Sequence, residues 1–138
     1  MILRLCLLTV ISLSFLSCGK SGDLVPSVAV NFQANIDNPG LAALKSPGGA
    51  VIIKGYGVAG LLIYREPDLT YAAYDACSSY QPEKRCAVTL DGNSVTCTDP
   101  CSGSKFLLSD GTPQKAPATR ALRAYNVNVS NFEIFVSN

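Results

Sequence analysis

From residue 28 to 37 the chain alternates, with Val28, Val30, Phe32, Ala34 and Ile36 on one parity and Ala29, Asn31, Gln33, Asn35 and Asp37 on the other. A two-residue period puts the first set on one face of an extended strand and the mostly polar set on the other. The far end of the chain repeats the pattern: Tyr125, Val127 and Val129 oppose Asn126 and Asn128, and Phe132, Ile134 and Val136 surround Glu133 and Phe135. Between these ends lie short apolar runs at 50–53, 61–64 and 71–74, punctuated by Gly55, Gly57, Gly60 and Pro67, which predict successive antiparallel strands. Runs at 86–90 and 94–97 flank Asp91-Gly92-Asn93, and 105–108 precedes Asp110-Gly111; both are hairpin signals. Asn38-Pro39-Gly40 and Ser46-Pro47-Gly48-Gly49 are turn sequences, and the Leu41 to Leu44 stretch between them suits a helical turn or a strand fragment equally. With no convincing helix, the pattern predicts an all-β domain, a small antiparallel β-sandwich or barrel.

The amino-terminal residues break this rhythm. Met1 to Arg4 is a short positive start, residues 5–16 form an apolar run, and Ser17 is a small residue directly before Cys18. The run has the length of a secretory core and is too short for an ordinary membrane span. A small residue followed by cysteine resembles the lipobox of bacterial lipoproteins, which implies removal of residues 1–17 and lipid attachment at Cys18. Residues 18–27, opening Gly19-Lys20-Ser21-Gly22-Asp23, then read as a flexible tether, and 28–138 as the folded domain. The expected location is the cell envelope, anchored to a membrane by lipid. Gly19 after Cys18 suits outer-membrane delivery, with the domain facing the periplasm or the cell surface.

Charge removes one class of partner. The 138 residues carry 11 Lys+Arg and 10 Asp+Glu; loss of Arg4 with the leader leaves ten of each. Such a balance offers no electrostatic footprint for nucleic acid. There is no histidine, so neither a Ser-His-Asp nor a Cys-His arrangement exists, and no catalytic residue is assigned. Asp75, Asp91, Asp99 and Asp110 fall around loops, where turn-making and solvation are their ordinary roles. Without Cys6 and Cys18, four cysteines remain, Cys77, Cys86, Cys97 and Cys101, confined to one stretch of an exported chain. That context favours disulfides, and four cysteines allow three pairings.

The same stretch carries a family resemblance. Cys77-Ser78-Ser79 and Cys101-Ser102-Gly103-Ser104-Lys105-Phe106, followed by Asp110-Gly111-Thr112, Pro117-Ala118-Thr119-Arg120, Leu122 and Tyr125, resemble the two cluster-binding loops and closing strand of a Rieske iron–sulfur domain. The resemblance implies a β base carrying a loop-rich cluster-binding subdomain. In that family two cysteines and two histidines hold a two-iron two-sulfur cluster. Cys77 matches the first cysteine ligand, Ser79 and Ser102 replace the histidines, and Asp99 stands at the second cysteine unless a two-residue shift brings Cys97 there. Hydroxyls are poor iron ligands beside imidazole because they must first lose a proton of high pKa.

The resemblance further implies a loop-stapling disulfide from Cys86 to Cys101, with Cys77 and Cys97 left beside the iron position to form a second bridge. On this basis the expected protein is a lipid-anchored Rieske-like module that has lost its cluster and holds no cofactor or metal. Its stapled tip, Ser78, Ser79, Tyr80, Gln81 and Pro82 with Pro100 and Ser102, would serve an envelope protein partner or a structural role. The alternative is a Rieske-type electron-transfer protein, using a variant cysteine-ligated two-iron two-sulfur cluster or a redox-active Cys77–Cys97 disulfide. A four-thiolate metal site fits less well, because Cys77 and Cys86 lack the close spacing such sites use.

Overall fold

In the computed structural model, which describes residues 24–138, the alternating segment at 28–37 yields strand β1 (Asn31–Asn35) with Phe32 buried and Asn31, Gln33 and Asn35 exposed. The leader 1–17 and Cys18 lie outside the described residues. Part of the expected tether is not free, since Val25 is buried and its carbonyl accepts from Arg123 Nη1 at 3.0 Å. The undecided Leu41 to Leu44 stretch lies in a 3-10 helix (Pro39–Lys45) that buries Leu41 and Leu44. Asn38 caps it, its side chain accepting from the Gly40 amide.

Five strands follow close to their expected places or at the chain end: β2 (Ala50–Ile53), β3 (Leu61–Arg65), β4 (Tyr71–Asp75) and, after the loops, β9 (Ala124–Ser130) with β10 (Glu133–Ser137) beside it. They join β1 in an antiparallel six-stranded sheet of order β1-β10-β9-β4-β3-β2. Its core gathers Phe32, Leu44, Leu61, Ile63, Tyr125, Ile134 and Val136. Leu61, Ile63 and Ile134 are fully buried, and each such side chain contributes about 1.5–3 kcal/mol by leaving water.

Inserted between β4 and β9 is a second, four-stranded sheet, β5 (Thr89–Leu90), β6 (Thr96–Thr98), β7 (Lys105–Leu107) and β8 (Pro113–Lys115), in sequential antiparallel order. The two hairpin signals sit at its β5–β6 and β7–β8 turns. Strand β8 had no signal of its own, being three residues long and opened by a proline. Its core includes Leu62, Tyr74, Val88, Cys97, Phe106, Leu108 and Leu122, so alternate residues of β3 and β4 serve the two cores. The fold is the expected all-β base with a loop-rich smaller unit.

Candidate functional site

Two loops from the smaller unit meet at its end. The first, residues 76–88, leaves β4; the second, 99–104, joins β6 to β7. Asp75, fully buried at the end of β4, sets the start of the first loop. Its Oδ2 accepts from the Val58 amide at 2.6 Å and the Tyr125 hydroxyl at 2.8 Å, and its Oδ1 from the amides of Ala59 at 3.1 Å and Cys77 at 2.8 Å. Burial, then the bond to Asp75, push the Tyr125 phenol well above its ordinary range, which keeps it protonated and donating. Gly57 is required here: its φ is +63°, and a Cβ would collide with Asp75 and the Tyr125 hydroxyl.

Beyond Cys77 the loop turns through a short 3-10 helix (Pro82–Lys84), with Gln81 and Arg85 on either side of it in left-handed conformation. It returns so that the Ser78 amide donates to the Cys86 carbonyl at 2.8 Å. Cys86 is bonded to Cys101 of the second loop, closing a loop of 15 residues in sequence separation. The predicted staple is therefore present.

The second loop folds around Asp99, also fully buried. Asp99 Oδ1 accepts from the Cys101 amide at 2.8 Å and Oδ2 from the Ser102 hydroxyl at 2.6 Å. The Ser102 and Ser104 hydroxyls are 2.9 Å apart, and Ser104 Oγ accepts from the Ala118 amide at 2.9 Å. Burial raises the Asp99 pKa, but hydrogen bonds from Ser102, Ser78 and the Cys101 amide outweigh it and hold the group below the usual carboxylate range. Gly103, at φ +77°, supplies the left-handed turn that lets its amide reach back to the Asp99 carbonyl.

The other anticipated residues are placed as follows. Ser79 donates to the Arg120 carbonyl at 2.6 Å and helps line an open cleft of about 230 Å³ with Tyr80, Gln81, Pro117, Thr119 and Arg120. Gln81, Pro100 and Cys101 are exposed, whereas Ser78 and Pro82 are buried, so the accessible tip is smaller than the sequence suggested. The second bridge is absent: Cys77 and Cys97 are free, buried thiols. The reason is the two-residue period of β6, which turns Thr96 and Thr98 toward Asp91 while Cys97 packs in the core of the small sheet with Val88 and Phe106. Cys77 instead lies under Pro82, its Sγ 3.7 Å from that residue's carbonyl oxygen. Burial pushes the Cys77 thiol up to about 11 and the Cys97 thiol up to about 12.

Tested against a Rieske centre, this donor set does not fit. The two histidine positions hold hydroxyls, the second cysteine position holds a carboxylate, and Ser79, Asp99 and Ser102 are each engaged in hydrogen bonds within the protein. Sequence reasoning gave Asp75 only a turn-making or solvating role, because its four partners come from three separate segments.

No family model matches the chain. It is 32% identical over 91 residues to the ferredoxin CarAc of Metapseudomonas resinovorans, a match covering 66% of this chain and 82% of that protein. Among solved structures, it resembles a chain from the complex of reduced oxygenase and oxidized ferredoxin in carbazole 1,9a-dioxygenase, at 24% identity and TM-score 0.53, covering 78% of this chain and 93% of that one. It also resembles the cyanobacterial plasma membrane Rieske protein PetC3 from Synechocystis, at 22% identity and TM-score 0.55, covering 80% and 98%. These likenesses agree with the all-β fold. They overturn the expectation of a cofactor-free module with a binding or structural role, because the protein matched at 32% identity is a ferredoxin. They favour the alternative, an electron-transfer protein with an iron–sulfur centre.

Proposed function

This chain belongs to the Rieske-type ferredoxin family, and from that premise we propose that it is an electron-transfer protein of the cell envelope that docks a redox protein partner at its two-loop end. The observation that carries this reading is the 32% identity spread over 82% of a ferredoxin's length. The geometry adds a presented tip: the first and second loops are tied by a disulfide and offer Gln81, Pro100 and Cys101 to solvent. The positive start, the apolar run and Ser17-Cys18 support export and a lipid at Cys18.

An iron–sulfur centre in this chain would have ligands other than imidazole, since there is no histidine to supply it. Cys77 is the thiol that would hold it at the first ligand position. Bound, such a centre supplies reversible electron uptake at a potential set by its ligands and their hydrogen bonds. The protein's part is to keep that end rigid and mostly dry: Cys77, Ser78, Asp99 and Ser104 are fully buried.

The test is anaerobic purification of the full chain from cells supplied with iron and sulfur, followed by iron and acid-labile sulfide analysis, visible spectroscopy and electron paramagnetic resonance of the reduced form. Equal amounts of iron and sulfide, a reversible redox spectrum, and loss of both in Cys77→Ser are expected. A colourless chain without iron or sulfide after that treatment overturns the proposal.

A further inference from the structure

Cys86, Asp99 and Cys101 bring two sulfurs and a carboxylate oxygen within 4.8 Å of one another, at the point where the two loops meet. In the structure the sulfurs are bonded. The geometry points to a second use of these atoms: once the disulfide is reduced, they form a zinc site with two thiolates and one carboxylate, leaving a fourth position for water.

Four observations converge on this. Zinc takes sulfur at about 2.3 Å and carboxylate oxygen at about 2.0–2.2 Å in a tetrahedral array, so its donors stand about 3.4–3.8 Å apart; the three atoms here already lie within 4.8 Å of one another, and the bonded sulfurs need only part once reduced. The Cα atoms of Cys86 and Cys101 are 6.4 Å apart, toward the wide end of the disulfide range, which leaves room for the sulfurs to separate without moving the backbone far. Asp99 is a fully buried carboxylate that takes part in neither salt bridge among the described residues. It is held charged only by hydrogen-bond donors, and a cation beside it would balance a desolvated anion. Finally, Cys101 is exposed, so both reductant and ion have access.

The reaction balances with an external dithiol. One of its thiolates attacks Cys101 Sγ, and the Cys86–Cys101 bond breaks with the Cys86 thiolate leaving. The second thiol of the donor then releases Cys101 and becomes half of the donor's new disulfide. Two electrons and two protons pass to the protein, and zinc binding displaces those two protons to solvent. The inference does not rest on the electron-transfer reading: iron and sulfide content tests that one, and zinc binding by the reduced chain tests this one.

The experiment titrates the folded full chain with zinc alone, before and after treatment with a phosphine reductant, reading stoichiometry by native mass spectrometry and affinity by chelator competition. Cobalt in place of zinc reports thiolate ligation by its charge-transfer absorption. One zinc per reduced chain is expected, at least about a hundredfold tighter than in the oxidised chain. Asp99→Asn should weaken it by about tenfold or more. The pair Cys86→Ser with Cys101→Ser should abolish it. Circular dichroism follows the fold in every sample. Equal binding in both redox states, no binding after reduction, unfolding on reduction, or binding that survives in the pair Cys86→Ser with Cys101→Ser would each overturn the assignment.

Discussion

Replacing Asp75 with asparagine removes one charge while changing the shape of the side chain very little, which makes it a sharp test of how the first loop is held. The Asp75 carboxylate accepts four hydrogen bonds at 2.6–3.1 Å in a fully buried position. In Asp75→Asn the amide oxygen takes over the Ala59 and Cys77 amides. The amide nitrogen then faces the Val58 N–H, donor against donor, while the Tyr125 hydroxyl rotates to accept. Losing a bond to a charged acceptor in a way that leaves a buried donor unsatisfied should cost about 2–4 kcal/mol. Tyr125→Phe removes a single bond and should cost about 1.5 kcal/mol. At about 4 °C per kcal/mol for a domain of this size, the asparagine variant melts about 8–16 °C lower. Urea unfolding gives the free energies, and the double variant gives the coupling between the two residues. Native-state hydrogen exchange should show lost protection at the Val58, Ala59 and Cys77 amides and little change in β10. A stability loss under about 0.5 kcal/mol in Asp75→Asn, or protection unchanged at those amides, would refute the role given to this carboxylate.

The Cys86–Cys101 bond closes a loop of 15 residues in sequence separation, so replacing both cysteines by serine should cost about 3 kcal/mol in urea unfolding, by the chain-entropy account. Asp91 accepts from Lys105 at 2.8 Å and from Thr96 and Thr98, and these bonds, that of Lys105 foremost, hold its carboxyl down to about 2. Its contribution is therefore present above the ordinary aspartate pKa and is lost as pH falls from about 4 toward 2. Because Lys105 is 40% exposed the pair is screened, and Asp91→Asn should flatten that acid limb by only about 1 kcal/mol. Cys97, pushed up to about 12 by burial, stays a neutral thiol in the folded chain, whereas in the unfolded chain it ionises near its ordinary value. Stability should then decline as pH rises from about 9 through 12, less so in Cys97→Ala, and the native thiol should resist alkylation until the domain unfolds.

Much of the base was legible because its strands are half-buried and alternate. Phe32 and Ala34 against Asn31 and Gln33, or Ile134 and Val136 against Glu133 and Phe135, state which face turns inward whatever the neighbours do. The Asp91-Gly92-Asn93 and Asp110-Gly111 turns were legible for a similar local reason. Val25 was not: nothing in its surroundings in sequence says that Arg123 will reach it. The pairing of Cys86 with Cys101 came through the family resemblance, and the mistaken Cys77–Cys97 bridge came from extending that resemblance past its reach. Thr96-Cys97-Thr98 already carried the correction, because a strand with threonines facing Asp91 must turn the cysteine between them the other way. The error about function has another cause. Absent imidazoles speak of one ligand set, while likeness to a ferredoxin over 91 residues speaks of the chain as a whole.

The two loops are secured by three devices that do not share atoms: the disulfide, the Asp75 cluster and the Asp99 hydrogen bonds. Each uses only groups of the protein itself. A position such as Ser79 can therefore change without dismantling the tip, because the bond its hydroxyl makes to the Arg120 carbonyl is separate from all three. Asp99 is the opposite case, since it stands at a ligand position and also organises its own loop. Substitutions at Ser79 should accordingly change what the tip binds with little effect on stability, while substitutions at Asp99 should move both together. That contrast allows ligation and folding to be separated by experiment at one end of a small β domain.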